Sequence, residues 1–339
     1  MKIFVFSIGD YICGVFHYTN YLIKALNMVG FETELVTPKT MSDLDVGDSD
    51  IILLTNIGWA NEMSNKGQAE ISKKRLEVLD KYYGKVPFVL VVHDIAGRLF
   101  FKRSYEYFDD KTFDLIVSVE DSDDMFTFIV QTSKFKDLVY IGHLFEFDDE
   151  NFKDKSQYHK RIVNSARIGS SKKTNVVFEI ARELEGKRKI FVTGEEQGTY
   201  WYFGLREHPD KKYVEFTGEY TDFREIYKDV AFGMDLSWFR KGNLLSRSRT
   251  QYTVIEAVDC GVIPIGFDVW RSENGYEGIW LPSPKKEGRR TIFDAKKYAE
   301  IIGNFEYDFD MAKRNREFLK KHCDPRTVGE RFKHFLDKL

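Results

Sequence analysis

RTQYTVIEAVDCGVIPIG, Arg249 to Gly266, decides the fold. Its first two-thirds reads as a helix. Val254, Ile255, Ala257 and Val258 give it an apolar side, and Gly261 stops it. VIPIG then reads as a short buried strand. A helix that turns at a glycine straight into such a strand is the repeating unit of parallel sheets covered on both faces. Ser246, Ser248 and Thr250 are the candidate caps before the helix, with Arg247 and Arg249 ahead of its first turn. Glu256 lies in the middle of the apolar run. A carboxylate buried there without a partner is costly. An arginine from a neighbouring strand or a pair of ligand hydroxyls would satisfy it, and the residues alone leave both open.

The same alternation extends both ways. Apolar runs at 2–8, 31–37, 50–56, 87–94, 114–119 and 137–144 predict strands. GVFHYTNYLIKALNMVG and QAEISKKRLEVLDKYYG predict helices ending on glycine. The stretch 145–161 is polar, charged and without period, which marks a linker. Beyond it, 161–169, 189–194, 213–218, 231–239 and 262–267 predict strands, and 175–186 and 294–303 predict helices. The last helix has Asp324 as N-cap and Pro325 in its first position. The expected architecture is α/β: two Rossmann-like doubly wound parallel-sheet domains, 1–148 and 149–320, facing each other across a cleft. A C-terminal helix, 321–339, would pack back on the first domain. Ligands of such sheets bind beyond the strand C-termini.

The 339 residues suit two domains. Residues 1–150 carry 15 Lys and Arg against 25 Asp and Glu, whereas 151–339 carry 36 against 29. The basic half suits an anionic ligand, although two differently charged solvated surfaces read equally well. Cys13, Cys260 and Cys323 are odd in number and without metal or redox spacing, so no disulfide framework or zinc site is expected and a cytoplasmic setting fits. The opening MKIFVFSIGDY has too short an apolar run for a signal peptide, and no stretch approaches a membrane span.

Three further stretches can carry chemistry. SIGDYICGVF brings Gly9 and Gly14 to the first strand-to-helix turn, as a tight turn or as a ligand-facing loop. VVHDIAGR ends a central strand with His93 and Asp94. A carboxylate there orients or deprotonates a hydroxyl, or simply caps the next helix. SARIGSSKKTNVVF sets Arg167, Lys172 and Lys173 before a helix start, where cations and free N–H groups can hold phosphates.

In this order and spacing, the residues resemble retaining glycosyltransferases of the GT-B fold, and within them the phage DNA α-glucosyltransferases. The shared features are Cys13-Gly14-Val15 after the first strand, His93-Asp94 after the central strand, and Tyr252-Thr253-Val254-Ile255-Glu256 leading to Cys260-Gly261-Val262-Ile263-Pro264. The resemblance implies a UDP-sugar co-substrate, with UDP-glucose the default. Glu256 would hold the ribose hydroxyls. Lys173 and Arg167 would hold the diphosphate, with Arg247 and Arg249 beside them. The backbone near Gly218 and Tyr220 would meet the uracil. Gly14 and Val15 would lie against diphosphate and sugar. His93 and Asp94 would face the sugar and the acceptor hydroxyl. Two family positions differ: Ser248 stands for a second glutamate and Ser170 for an arginine. No tightly bound metal is expected, although a divalent ion could stimulate turnover.

The resemblance also implies the acceptor, a hydroxymethylated pyrimidine such as 5-hydroxymethylcytosine in double-stranded DNA. The base must leave the stack to reach such a site. Phosphate-binding candidates are Arg240 and Lys241, with Lys102 and Arg103 on the first domain and Lys285, Lys286, Arg289 and Arg290 further off. The acidity of the first half argues against it. Two other classes stay open: a transferase acting on a glycan, lipid-linked or protein acceptor, and a non-catalytic nucleotide-sugar or DNA-binding protein.

Overall fold

The computed structural model describes residues 1–7, 14–37, 39–55, 66–93, 108–166, 168–169, 172–196, 204–220, 222–237, 239–241, 244–246, 251–268, 275–287 and 290–339. The first sheet contains β1 (Lys2–Phe6), β2 (Glu32–Val36), β3 (Ile51–Leu54), β4 (Phe88–Val92), β5 (Thr112–Ser118) and β6 (Lys134–Tyr140). All pairings are parallel, in the order β2-β1-β3-β4-β5-β6. Helices α1 (Gly14–Met28), α2 (Lys66–Tyr82) and α3 (Asp123–Thr132) connect them. Every residue of FVLVV in β4 is buried, as a strand covered on both faces requires. Leu79 and Tyr82 of α2 and Met125, Phe128 and Ile129 of α3 pack on Phe6, Ile52, Leu90 and Ile116.

The second sheet contains β7 (Arg161–Ser165), β8 (Lys189–Thr193), β9 (Val214–Gly218), β10 (Phe232–Met234), β13 (Ile263–Phe267) and β14 (Ile279–Leu281), again all parallel. Between β10 and β13 lie the antiparallel pair β11 (Phe239–Lys241) and β12 (Leu244–Ser246). Helices α4 (Thr174–Glu183), α5 (Phe223–Tyr227), α6 (Tyr252–Asp259) and α7 (Ala295–Gly303) complete this layer, with α8 (Phe309–Cys323) after them. The order β9-β8-β7-β10-β13-β14 is the 3-2-1-4-5-6 order of Rossmann folds. Apolar residues of α4 and α7 cover one face, including Val177, Ile180, Tyr298 and Ile302. Tyr227, Ala257 and Cys260 lie on the other. Gly233 of β10 lets α6 come close, because a Cβ there would lie 3.2 Å from that of Ala257.

Two compact units result. One is Met1–Glu146 with Phe239–Ser248 and Lys321–Leu339; the other is Phe147–Trp238 with Arg249–Lys320. In the first unit, α9 (Pro325–Leu336) packs along α1. Asp324 caps it by accepting from the N–H groups of Arg326 and Thr327. This division changes the charge picture. Residues 1–146 carry 15 basic and 22 acidic side chains, 239–248 add three basic ones, and 321–339 add five basic and three acidic ones. The first unit is therefore −2, and the second −1 of the total −3. The imbalance along the sequence disappears in space.

Three local expectations change. β10 stops at Met234 rather than running to 239, because the Asp235 carboxylate takes the Ser237 N–H at 2.8 Å and turns the chain. β6 starts at Lys134 and ends at Tyr140, ahead of the expected 137–144. The polar stretch 145–161 is held down from Phe147 onward. Asn151 donates to Asp259 (2.8 Å), and Lys155, 4% exposed, donates to the carbonyl of Lys228 (2.7 Å).

Candidate functional site

Chain order reverses between β7 and β10, the place where a Rossmann sheet receives a ligand. The chain leaving β7 reaches Lys172 and Lys173 and enters α4. The chain leaving β10 reaches Asp235 and Ser237, and α6 follows. Both helices begin without a side-chain cap. Lys173 occupies the N-cap of α4 and Gln251 that of α6, and neither side chain bonds the helix start. The other α-helices with a described N-cap differ. Ser122 caps α3, Asp222 α5, Asp294 α7 and Asp324 α9. Open helix starts present N–H groups and positive dipole ends, the elements of an anion site. The expected caps Ser246, Ser248 and Thr250 do not serve. Ser246 ends β12, the other two lie outside the described residues, and the helix starts after Gln251.

The two lysines behave differently. Lys172 donates from Nζ to Ser237 Oγ (2.7 Å) and Gln251 Oε1 (2.9 Å), and lies 3.4 Å from Asp235 Oδ2. Lys173 is the only described non-glycine residue with positive φ (54°, ψ 39°). Backbone in this sparsely populated region concentrates at functional loops. Its ammonium has no carboxylate partner among the described residues and lies 5.8 Å from the Phe293 ring centre. Burial lowers its pKa, the signature of a cation in want of an anion.

Glu256 sits one turn inside α6. Among the described residues its carboxylate has neither an ion-pair nor a hydrogen-bond partner, and burial pushes its pKa up to about 7. Of the two readings left open above, the internal arginine is absent among the described residues. The nearby Tyr227 hydroxyl donates to the Thr253 carbonyl at 2.8 Å and so anchors this turn. Gly218 (φ 84°) ends β9, and its carbonyl accepts from Thr193 Oγ1 at 2.7 Å. Tyr220 beyond it is 43% exposed.

In the first unit the order reverses between β1 and β3. Here the Thr19 hydroxyl donates to the carbonyl of Val15 (2.8 Å) and its Oγ1 lies 2.9 Å from Thr55 Oγ1. Gly14 opens α1 and is exposed. His93 follows β4 and stands edge-on to Tyr18, with ring centres 4.7 Å apart. Burial, reinforced by His143, pushes its pKa down to about 3, so the imidazole is neutral. Among the described residues, its Nε2 and the Tyr18 hydroxyl are buried without a hydrogen-bond partner.

Arg240 and Lys241 lie on β11, paired in register with Leu245 and Leu244 of β12. Asp94, Lys102, Arg103, Arg167, Arg247 and Arg249 lie outside the described residues. Sequence reasoning missed Asp235, Ser237, Gln251 and Thr253 as site residues. The one available signal was an aspartate inside the apolar run AFGMDLSWF. Among the described residues, no group of three or more His, Cys, Asp or Glu is arranged to hold a metal ion, and no helix is long and apolar enough to cross a membrane.

These two sheets, with their strand orders, define the GT-B fold, and solved structures agree. The chain is similar to Anabaena Alr3699/HepE in complex with UDP-glucose over 100% of both chains, with TM-score 0.70 and 12% identity. It is similar to an α-glucosyltransferase in complex with UDP and a 13-mer DNA containing an HMU base over 99% of both chains, with TM-score 0.68 and 15% identity. It also resembles S. aureus TarM, with TM-score 0.62 and 12% identity, over 88% of this chain and 57% of that one. No protein-family model and no curated protein sequence matches the chain.

Proposed function

We propose that this chain is a UDP-sugar-dependent glycosyltransferase that moves glucose, with retention, to the hydroxyl of a hydroxymethylated pyrimidine in double-stranded DNA. The observation that carries the donor half is the pair of uncapped helix starts, α4 and α6, at the reversal point of a Rossmann-order sheet. Lys173 and these N–H groups hold the diphosphate, Glu256 takes the ribose hydroxyls, and the backbone at Gly218 and Tyr220 meets the uracil. Arg167, Arg247 and Arg249 add charge around the diphosphate, and Gly14 and Val15 lie against the diphosphate and sugar. The bond between sugar C1 and the diphosphate oxygen breaks as negative charge grows on UDP. Fixed dipoles and a lysine aimed at that oxygen stabilise the charge where it develops. The acceptor oxygen bonds C1 on the same face and its proton passes to the departing phosphate oxygen. Asp94 orients the acceptor, and neutral His93 offers one hydrogen bond to the sugar without competing for that proton.

The DNA acceptor draws support from the likeness to a structure holding UDP and HMU-containing DNA. The near-neutral first unit removes the electrostatic objection, and Arg240 and Lys241, with Lys102 and Arg103, are the phosphate contacts. The test is incubation with UDP-glucose and either hydroxymethylated or plain duplex DNA. Sugar appearing only on the modified duplex is expected. Hydrolysis of UDP-glucose without transfer to DNA moves the acceptor to a glycan, lipid or protein. Absence of UDP-glucose binding ends the proposal.

A further inference from the structure

Asp235 is 2% exposed and stands at the end of β10, at the reversal point itself. Three segments converge on its carboxylate. Oδ1 accepts the Ser237 backbone N–H at 2.8 Å and the Ser237 hydroxyl as well. Oδ2 accepts Thr253 Oγ1 at 3.0 Å and faces Lys172 Nζ at 3.4 Å. The loop before α4, the turn after β10 and the first turn of α6 are therefore tied through one side chain. Lys172 extends the tie to Gln251, whose amide oxygen it occupies, so Gln251 leaves the start of α6 uncapped. At the start of α4, Thr174 is wholly buried. Its Oγ1 accepts the Gly169 N–H at 3.0 Å and its own N–H reaches the Gly169 carbonyl at 3.4 Å, which fixes the loop against the helix start.

We propose that Asp235 is a positioning residue for the nucleotide diphosphate: it fixes the spacing of the two open helix starts and draws Lys172 away from the anion, leaving Lys173 to face it. This inference rests on the donor site proposed above. It separates two neighbouring lysines by task, since Lys172 staples the loop and Lys173 binds. A charge argument alone gives the opposite prediction for Asp235. Removing a carboxylate near a diphosphate, and freeing an ammonium beside it, would tighten binding. If position outweighs charge, binding weakens instead, because two helix starts aimed at one anion lose their common frame.

The test is equilibrium binding of UDP and of uridine to the full chain, wild type against Asp235→Ala and Asp235→Asn, with thermal melts alongside. Asp235→Ala is expected to weaken UDP about tenfold while changing uridine less than about twofold, since uridine lacks the diphosphate. Asp235→Asn keeps acceptors for Ser237 and Thr253 and should recover part of the loss. Thr253→Val, which cuts only the tie to α6, should cost UDP about threefold and serves where the alanine variant fails to fold. Unchanged or tighter UDP binding in the variants, or an equal loss for uridine, overturns the positioning role while the donor site stands. A wild-type chain that binds neither compound overturns the donor site, and this role with it.

Discussion

Glu256 and Asp259 stand one turn apart on α6, and among the described residues only Asp259 has partners. Asp259 is fully buried, accepts from Asn151 at 2.8 Å, and pairs with Arg316, whose Nε and Nη2 lie 3.1 and 3.0 Å from Oδ1. Glu256 is half-buried, and no described residue compensates its desolvation. One helix thus carries a structural carboxylate and an unsatisfied one, and the two should respond to substitution in opposite ways. Glu256→Gln should leave the fold intact and weaken UDP at least tenfold, about 1.4 kcal/mol. Asp259→Asn should cost about 1–3 kcal/mol of stability, because Arg316 keeps its charge, loses its buried partner and retains only the exposed Asp149. Urea unfolding and UDP titration of both variants check the contrast. Equal effects of the two on UDP would contradict it.

The raised pKa of Glu256 has a defined sign. Its folded-state value, about 7, lies above its ordinary 4.5, so the folded chain holds this proton more tightly than the unfolded chain. The stability this contributes is full below pH 4.5 and is lost as pH rises through about 7. Glu256→Gln cannot lose it. The variant should match wild type near pH 4.5 and exceed it above pH 8 by up to about 3 kcal/mol. Melts at several pH values decide the point, and parallel curves would exclude an uncompensated carboxylate.

Ligand binding should follow the same titration. Ribose hydroxyls donate to the ionised carboxylate and not to its protonated carbon–oxygen pair on equal terms. Uridine affinity should therefore rise between pH 6 and 8 in wild type and be flat in Glu256→Gln. Uridine is the better probe because phosphate groups titrate near pH 6 themselves. A flat wild-type profile would remove Glu256 from the ribose.

The strands and helices were largely legible because each depends on local pattern. Continuous apolar runs such as FVLVV and glycine stops after α1 and α2 need no distant partner. The Asp324-Pro325 helix start was equally plain. What escaped is non-local. Nothing in FRKGNLLSRS says that it groups with a unit more than ninety residues upstream. Nothing in MDLSW shows that Asp235 draws in Lys172 from 63 positions away. The helix α8 was missed because its apolar residues are sparse among lysines and arginines. Charge summed along the chain misled for the same reason, since segments from the basic half fold onto the acidic one.

Acid should loosen the first unit before it affects most carboxylates. His93 and His143 are held below their ordinary 6.5, at about 3 and about 4, chiefly by burial. Depressed values mean that their contribution to stability is full above pH 6.5 and lost as pH falls toward 4 and 3. Each imidazole adds about 1.4 kcal/mol of lost stability per pH unit across that window. Urea unfolding from pH 7 to 4.5 should show this slope, and His93→Gln should reduce it by about half. A slope unchanged by the substitution would place the proton uptake elsewhere.

Gly261 shows how closely the segment after Phe147 is built into the second unit. It takes φ of 80° where α6 ends, a region that L side chains seldom adopt. A Cβ there would also lie 2.2 Å from the carbonyl oxygen of Lys153. The opposing atom is backbone, and that backbone is fixed. Tyr307 donates to the Gly261 carbonyl at 2.8 Å, and its oxygen receives the Lys155 N–H at 3.2 Å. Gly261→Ala therefore meets two costs: about 1 kcal/mol for the left-handed backbone, and about 1–3 kcal/mol for the displaced segment. A total near 3 kcal/mol is expected by chemical denaturation. UDP binding at saturating protein should survive, because Lys173 and the start of α6 lie away from the clash. Asn at this position tolerates the backbone better than Ala but brings the same Cβ, so Gly261→Asn should recover no more than about 1 kcal/mol. Full recovery by asparagine would show that the contact with Lys153 yields freely, and that the segment from Phe147 is not fastened as described.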